Sequence, residues 1–161
     1  MLRSGQHITK LCLAQKPEKC KYTHKTGEYI GEAILHNLEC GLVKLDFKGI
    51  YLGETGLRRV LEAANDCKSI EKLNVGVVTD AGLRILAEGL EANCSLEELV
   101  FYETGDHQKY WTPEARQCFV DLLKAHTKLK SVKARFAEEN AKSDFASAFH
   151  HEINFYTEQK D

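Results

Sequence analysis

The sequence predicts an α/β fold: about five strand–helix units stacked side by side, with a short parallel sheet on one face and helices on the other. Three observations carry this expectation. A six-residue pattern with large apolar side chains at its first, fourth and sixth places recurs along the chain. An apolar stripe at helical spacing follows each of the first four occurrences. Cysteines return at nearly the same period, Cys40, Cys67 and Cys94 being spaced 27 residues apart.

The pattern starts at Ile8, Leu42, Ile70, Leu96 and Leu129, so successive starts lie 34, 28, 26 and 33 residues apart. Recurrence at this length marks a repeat architecture. The apolar triplets are Ile8, Leu11 and Leu13; Leu42, Leu45 and Phe47; Ile70, Leu73 and Val75; Leu96, Leu99 and Phe101; and, more weakly, Leu129, Val132 and Ala134. Side chains alternate along a strand, so the third, fifth and seventh places point away from the core.

Helices follow. Thr55 precedes Leu57, Val60, Leu61 and Ala64; Thr79 precedes Leu83, Leu86, Ala87 and Leu90; Thr112-Pro113 precedes Ala115, Cys118, Phe119 and Leu122. These are i, i+3, i+4, i+7 stripes of helices packed on a core. Thr79 and Thr112 suit an N-cap, and Pro113 suits the first helical position. The first unit is looser, with Ile30, Ala33, Ile34 and Leu38 after Thr26. Ser143 is a candidate cap for a helix over 143–161 carrying Phe145, Phe149 and Ile153, which would shield the end of the stack. One strand and one helix cannot bury their apolar faces alone. Stacked, the strands form a parallel sheet and each helix supplies the crossover that parallel strands need.

The stretch from Val78 to Leu99, ValThrAspAlaGlyLeuArgIleLeuAlaGluGlyLeuGluAlaAsnCysSerLeuGluGluLeu, closely resembles the repeat of ribonuclease-inhibitor-type leucine-rich repeat proteins. The resemblance covers nearly the whole chain and is strongest over 42–129. It implies a single domain, 1–161, folded as a right-handed leucine-rich repeat solenoid, with the sheet on the concave face and helices on the convex face. The chain departs from the family in lacking Asn or Cys after the strand, where GlyValValThr, LysGlyIleTyr or TyrGluThrGly stands instead.

Composition bounds the function. The chain has 161 residues and a net charge of −2, so no global field favours nucleic acid. No apolar run reaches the roughly 18 residues of a membrane helix. Met1 to Lys16 carries Arg3, Lys10 and Lys16 without an acidic residue, but it has no apolar core of a secretory signal, and organelle targeting is not expected. No nucleotide-binding, hydrolase or metalloprotease motif occurs, so no catalytic residue, metal or cofactor is expected. Cys40, Cys67 and Cys94 sit where each helix hands over to the next strand, and Cys118 takes a place filled by Val60 and Leu86 elsewhere. With no C-x-x-C pair, these are expected to be reduced, core-filling thiols, which points to a reducing, cytoplasmic compartment.

The outward columns are the candidate binding surface. The third places read Lys10, Lys44, Lys72, Glu98 and Ser131. The fifth read Cys12, Asp46, Asn74, Val100 and Lys133; the seventh read Ala14, Lys48, Gly76, Tyr102 and Arg135. This mixed surface has neither a catalytic cluster nor the uniform charge of a nucleic-acid face. Its middle, Lys44, Asp46, Lys48, Lys72, Asn74, Glu98, Val100, Tyr102 and Lys133, is the expected protein-binding site. A second candidate is the insertion at 103–113, where Tyr110 and Trp111, the only tryptophan, either anchor a partner or fold back as a staple before Thr112. The function expected is a non-enzymatic protein-interaction or scaffold module in a larger intracellular assembly. Two alternatives follow from resemblance in layout. One is a cytoskeletal regulator of actin, or of the axoneme in cilia, similar to the tropomodulin repeat domain. The other is a GTPase activator similar to that of Ran, which would need a positioned arginine such as Arg58, Arg59, Arg84 or Arg135.

Overall fold

A computed structural model of the chain describes residues 8–13, 24–37, 41–91, 95–103, 111–125 and 128–135. Within them, strand and helix alternate: β1 (Lys10–Cys12), α1 (His24–Leu35), β2 (Lys44–Asp46), α2 (Gly53–Asp66), β3 (Lys72–Val78), α3 (Asp80–Glu91), β4 (Glu98–Glu103), α4 (Pro113–Ala125) and β5 (Ser131–Arg135). The five strands form one parallel sheet in the order β1-β2-β3-β4-β5. The helices also pack in chain order, α1 on α2, α2 on α3 and α3 on α4. The segment expected to cap the end, 143–161, lies outside the described residues, as does Leu38.

The apolar pattern becomes the core. Leu42, Ile70, Leu96 and Leu129 are buried, as are Leu45, Leu73, Leu99 and Val132 one step inward and Phe47, Val75, Phe101 and Ala134 beyond them. Each full burial of such a large apolar side chain is worth about 1.5–3 kcal/mol relative to exposure. Helix residues Leu57, Val60, Leu61, Leu83, Leu86, Leu90, Ala115 and Phe119 close the same core from the other side.

The units share a hydrogen-bond device at the entry to each strand. The carbonyl of Thr9 accepts from the N–H groups of both Val43 and Lys44 at 2.8 and 3.1 Å. Val43 does the same for Glu71 and Lys72, Glu71 for Glu97 and Glu98, and Glu97 for Lys130 and Ser131. The pattern recurs because all these residues hold the second or third place of the repeated hexapeptide.

Two helix starts follow the expected chemistry. Thr79 Oγ1 accepts from Gly82 N at 3.2 Å, and Thr112 Oγ1 accepts from Ala115 N at 3.3 Å, each satisfying an otherwise orphaned N–H of a first turn. The two caps are tied together, since Thr112 N donates to Asp80 Oδ1 at 2.6 Å. α2 differs: it begins at Gly53, ahead of Thr55, and Leu52 precedes it without a side-chain cap.

The first unit departs furthest. Ile8 is 69% exposed, and Leu11 and Leu13 are only partly buried, because β1 is an edge strand of the described sheet. Ala33 is exposed as well. α1 is turned to bring Gly27 and Gly31 against α2, where a Cβ on Gly27 would meet Gly56 Cα at 2.9 Å and one on Gly31 would meet Arg59 O at 2.7 Å. That rotation carries Ala33 to the outer side.

The cysteines also depart from expectation. Cys118 is exposed, not a core residue. Val120 and Leu123 extend the buried stripe of α4 on the side away from it, which leaves Cys118 at the margin. Cys12 is exposed too. Cys67 is buried as expected but is disulfide-bonded. Cys67 is therefore not the reduced thiol expected, and Cys40 and Cys94 lie outside the described residues.

Candidate protein-interaction face

The face of the sheet turned away from the core carries the predicted columns in register. Lys10, Lys44, Lys72, Glu98 and Ser131 are successive partners across the five strands, and so are Cys12, Asp46, Asn74, Val100 and Lys133. The apolar repeat sets this alignment, because a slip by one residue would turn the leucines outward.

The seventh column is different. Tyr102 pairs with Val77, not Gly76, because the register shifts between Asn74 and Val77. Gly76 absorbs the extra residue at φ +72, where a Cβ would collide with the carbonyls of Ile50 and Phe47. A bulge with glycine in the left-handed region is how a strand takes in one extra residue. Beyond it Val77 points outward while Val75 and Val78 both enter the core. Tyr51 bridges to Val77 on the other side, so Tyr51, Val77 and Tyr102 form one row. Lys48 lies in the turn after β2 rather than in this row. Ala14 and the side chain of Arg135 lie outside the described residues. Tyr51 and Val77 were not among the expected site residues; the available signal was a glycine in mid-strand followed by two valines.

Between the lysine row and the aromatic row runs a polar network. Asn74 is only 7% exposed, yet its side chain is satisfied: Nδ2 donates to Asp46 Oδ1 at 2.9 Å, and Oδ1 accepts from Gly76 N at 3.0 Å. Asp46 Oδ1 also accepts from Lys48 N at 3.1 Å, and Oδ2 pairs with Lys44 Nζ at 3.0 Å. The hydrogen bond to Asp46 raises the pKa of Lys44. A second cluster centres on Glu98, which pairs with Lys133 at 2.6 Å and Lys72 at 3.5 Å. Lys133, first through its hydrogen bond, holds the Glu98 carboxyl below the usual range against the opposing effect of burial.

The insertion behaves differently. Trp111 is 2% exposed, so the exposed-anchor expectation fails for it. Its ring packs against Phe101 at 5.5 Å, and Nε1 donates to Val78 O at 3.1 Å. Burial with the indole N–H satisfied is the favourable outcome for this side chain, and it sits directly before the Thr112 cap. Tyr110 lies outside the described residues.

Of the four arginines considered for GTPase activation, Arg135 ends β5 and the other three lie on helices and pair with carboxylates: Arg58 with Glu88 at 3.0 Å, Arg59 with Glu62 at 2.7 Å and Glu32 at 3.6 Å, Arg84 with Asp80 at 3.6 Å. A shallow groove between α2 and α3 is spanned by the Arg58–Glu88 pair. Among the described residues no group of three or more His, Cys, Asp or Glu could hold a metal ion, and no helix is long and apolar enough to cross a membrane. Neither protein-family models nor curated proteins give a match to this sequence.

Proposed function

We propose that the chain is a non-enzymatic protein-interaction or scaffold module, built as a right-handed leucine-rich repeat solenoid that offers its sheet as the concave, partner-binding face. One observation carries this reading. Ten side-chain positions of the third and fifth places stand in register across five parallel strands, giving a continuous surface that none of the described helices is placed against. Stacked repeat units bind proteins through surfaces of this kind. The step from this surface to function is one of analogy between repeat architectures.

The test is affinity capture from the native cell with crosslinking at the face lysines, comparing the natural protein with a Lys72→Ala, Tyr102→Ala variant. Asp46 is left in place because Asn74 depends on it. The expected result is a reproducible partner set, crosslinked at Lys44, Lys72 or Lys133 and lost by the folded variant. An Arg58→Ala variant on α2 should keep it. Retention of all partners by the face variant would move binding elsewhere, and capture of none would overturn the scaffold reading.

A further inference from the structure

The sheet face is charged against the sign of the molecule. The chain has a net charge of −2, yet this face gathers Lys10, Lys44, Lys72 and Lys133, with Lys48 in the turn after β2, against two carboxylates, Asp46 and Glu98. Lys10, Lys44 and Lys72 are direct register partners on neighbouring strands. Neighbouring strands lie about 4.8 Å apart, and like charges directly opposite one another are destabilising. The two carboxylates are already engaged, Asp46 by Lys44, Asn74 and the Lys48 N–H, Glu98 by Lys133 and Lys72. Among the described residues Lys10 and Lys48 have no carboxylate partner. Glu71 and Glu97 stand at the strand entries, and Glu97 is taken by Lys130 at 2.7 Å.

At the other end of the strands the face becomes apolar. Tyr51 is 45% exposed and stands in a row with Val77 and Tyr102. The row exists because the Gly76 bulge turns Val77 outward. From the level of Glu98 to that of Tyr102 is four residues, or about 13 Å at roughly 3.3 Å each.

We infer that this face takes an acidic protein segment carrying an apolar anchor side chain, with its carboxylates over the Lys10–Lys44–Lys72 row and the anchor on Tyr51, Val77 and Tyr102. The inference rests on the scaffold reading and deepens it. Charge complementarity selects the acidic chemistry: Lys44 is paired with Asp46 and Lys72 with Glu98, yet lysines outnumber carboxylates on the face and Lys10 has no carboxylate partner among the described residues. The aromatic row selects a protein over a purely ionic partner, because clustered aromatic and apolar side chains are where interface energy concentrates.

The probes are three labelled twelve-residue peptides: glutamate-rich with one central phenylalanine, the same without phenylalanine, and lysine-rich with phenylalanine. A thymidine oligonucleotide is the fourth. Titration is followed by amide NMR shifts and anisotropy at low and moderate salt. The first peptide should bind, shift resonances at both rows and weaken as salt rises; omitting phenylalanine should weaken it at least fivefold. Lys10→Glu with Lys72→Glu should cost at least tenfold. Tyr51→Ser with Val77→Ser should bring the phenylalanine peptide down to the level of the peptide lacking it. Arg58→Glu on α2 should change nothing. Equal binding of the lysine-rich peptide, tighter binding of the oligonucleotide, equal loss from Arg58→Glu, or no shift at millimolar peptide would each overturn the inference. Native partners crosslinked to this face but lacking acidic segments would sink it while leaving the scaffold reading intact; absence of any native partner would remove both.

Discussion

Asn74 Nδ2 donates to Asp46 Oδ1 at 2.9 Å, joining β3 to β2 on the sheet face through two side chains rather than through backbone alone. Asp46→Ala removes the acceptor of a nearly buried amide and of the Lys48 N–H together. Leaving a buried donor unsatisfied costs about 1–3 kcal/mol. Urea unfolding should register that loss, and a double-mutant cycle with Asn74→Ala should give a non-zero coupling; strict additivity would mean the two side chains do not act as a pair.

Trp111 makes a second prediction measurable without mutation. It is the only tryptophan, so its emission reports one site. The folded protein should emit at short wavelength, resist acrylamide quenching and shift to the red on unfolding. Trp111→Ala should destabilise by about 3–5 kcal/mol, as for other large buried aromatics. A native spectrum like that of free tryptophan would contradict its packing on Phe101.

The first two cases also mark how far the sequence could be read. The hexapeptide repeat named the strands, their order of stacking and both inner columns of the face, because one-residue slips would expose Leu45, Leu73 and Leu99. It missed the row of Tyr51 and Val77. Alternation carries no information about φ, and only the backbone of Gly76 reveals that the count changes there. Trp111 was open between two roles because an aromatic beside a cap reads alike in both; the neighbour that decides it, Phe101, is ten residues away in sequence. The first unit was overestimated because Ile8, Leu11 and Leu13 match the pattern but stand on an edge strand, paired on one side alone among the described residues.

Glu98 supplies a pH prediction. Its carboxyl titrates below the usual range in the folded chain, mainly through Lys133. A depressed acid contributes stability that is present above its unfolded-state pKa and fades as pH falls through the folded one. Stability measured down the acid limb should therefore fall less steeply in Glu98→Gln than in the natural protein. Identical acid limbs would show that the pair with Lys133 contributes nothing to folding.

The cysteines divide by accessibility. Under non-reducing, native conditions a maleimide should attach to Cys12 and Cys118, which are exposed and free. Cys67 should label only after denaturation and reduction, since its sulfur is both buried and in a disulfide. Peptide mass spectrometry reads each site separately, and native labelling of Cys67 would contradict the disulfide.

Every strong contact between described elements joins neighbours in the chain, strand to adjoining strand and helix to adjoining helix. Among the described elements no strong contact ties the first unit to the last. A tensile load on the two ends is therefore carried in series, like a chain of links rather than a bundle of parallel cords. β1 is held to β2 by three register pairs, as β2 is to β3, while five join β4 to β5. Drawn out between two anchors, such a molecule lengthens in steps.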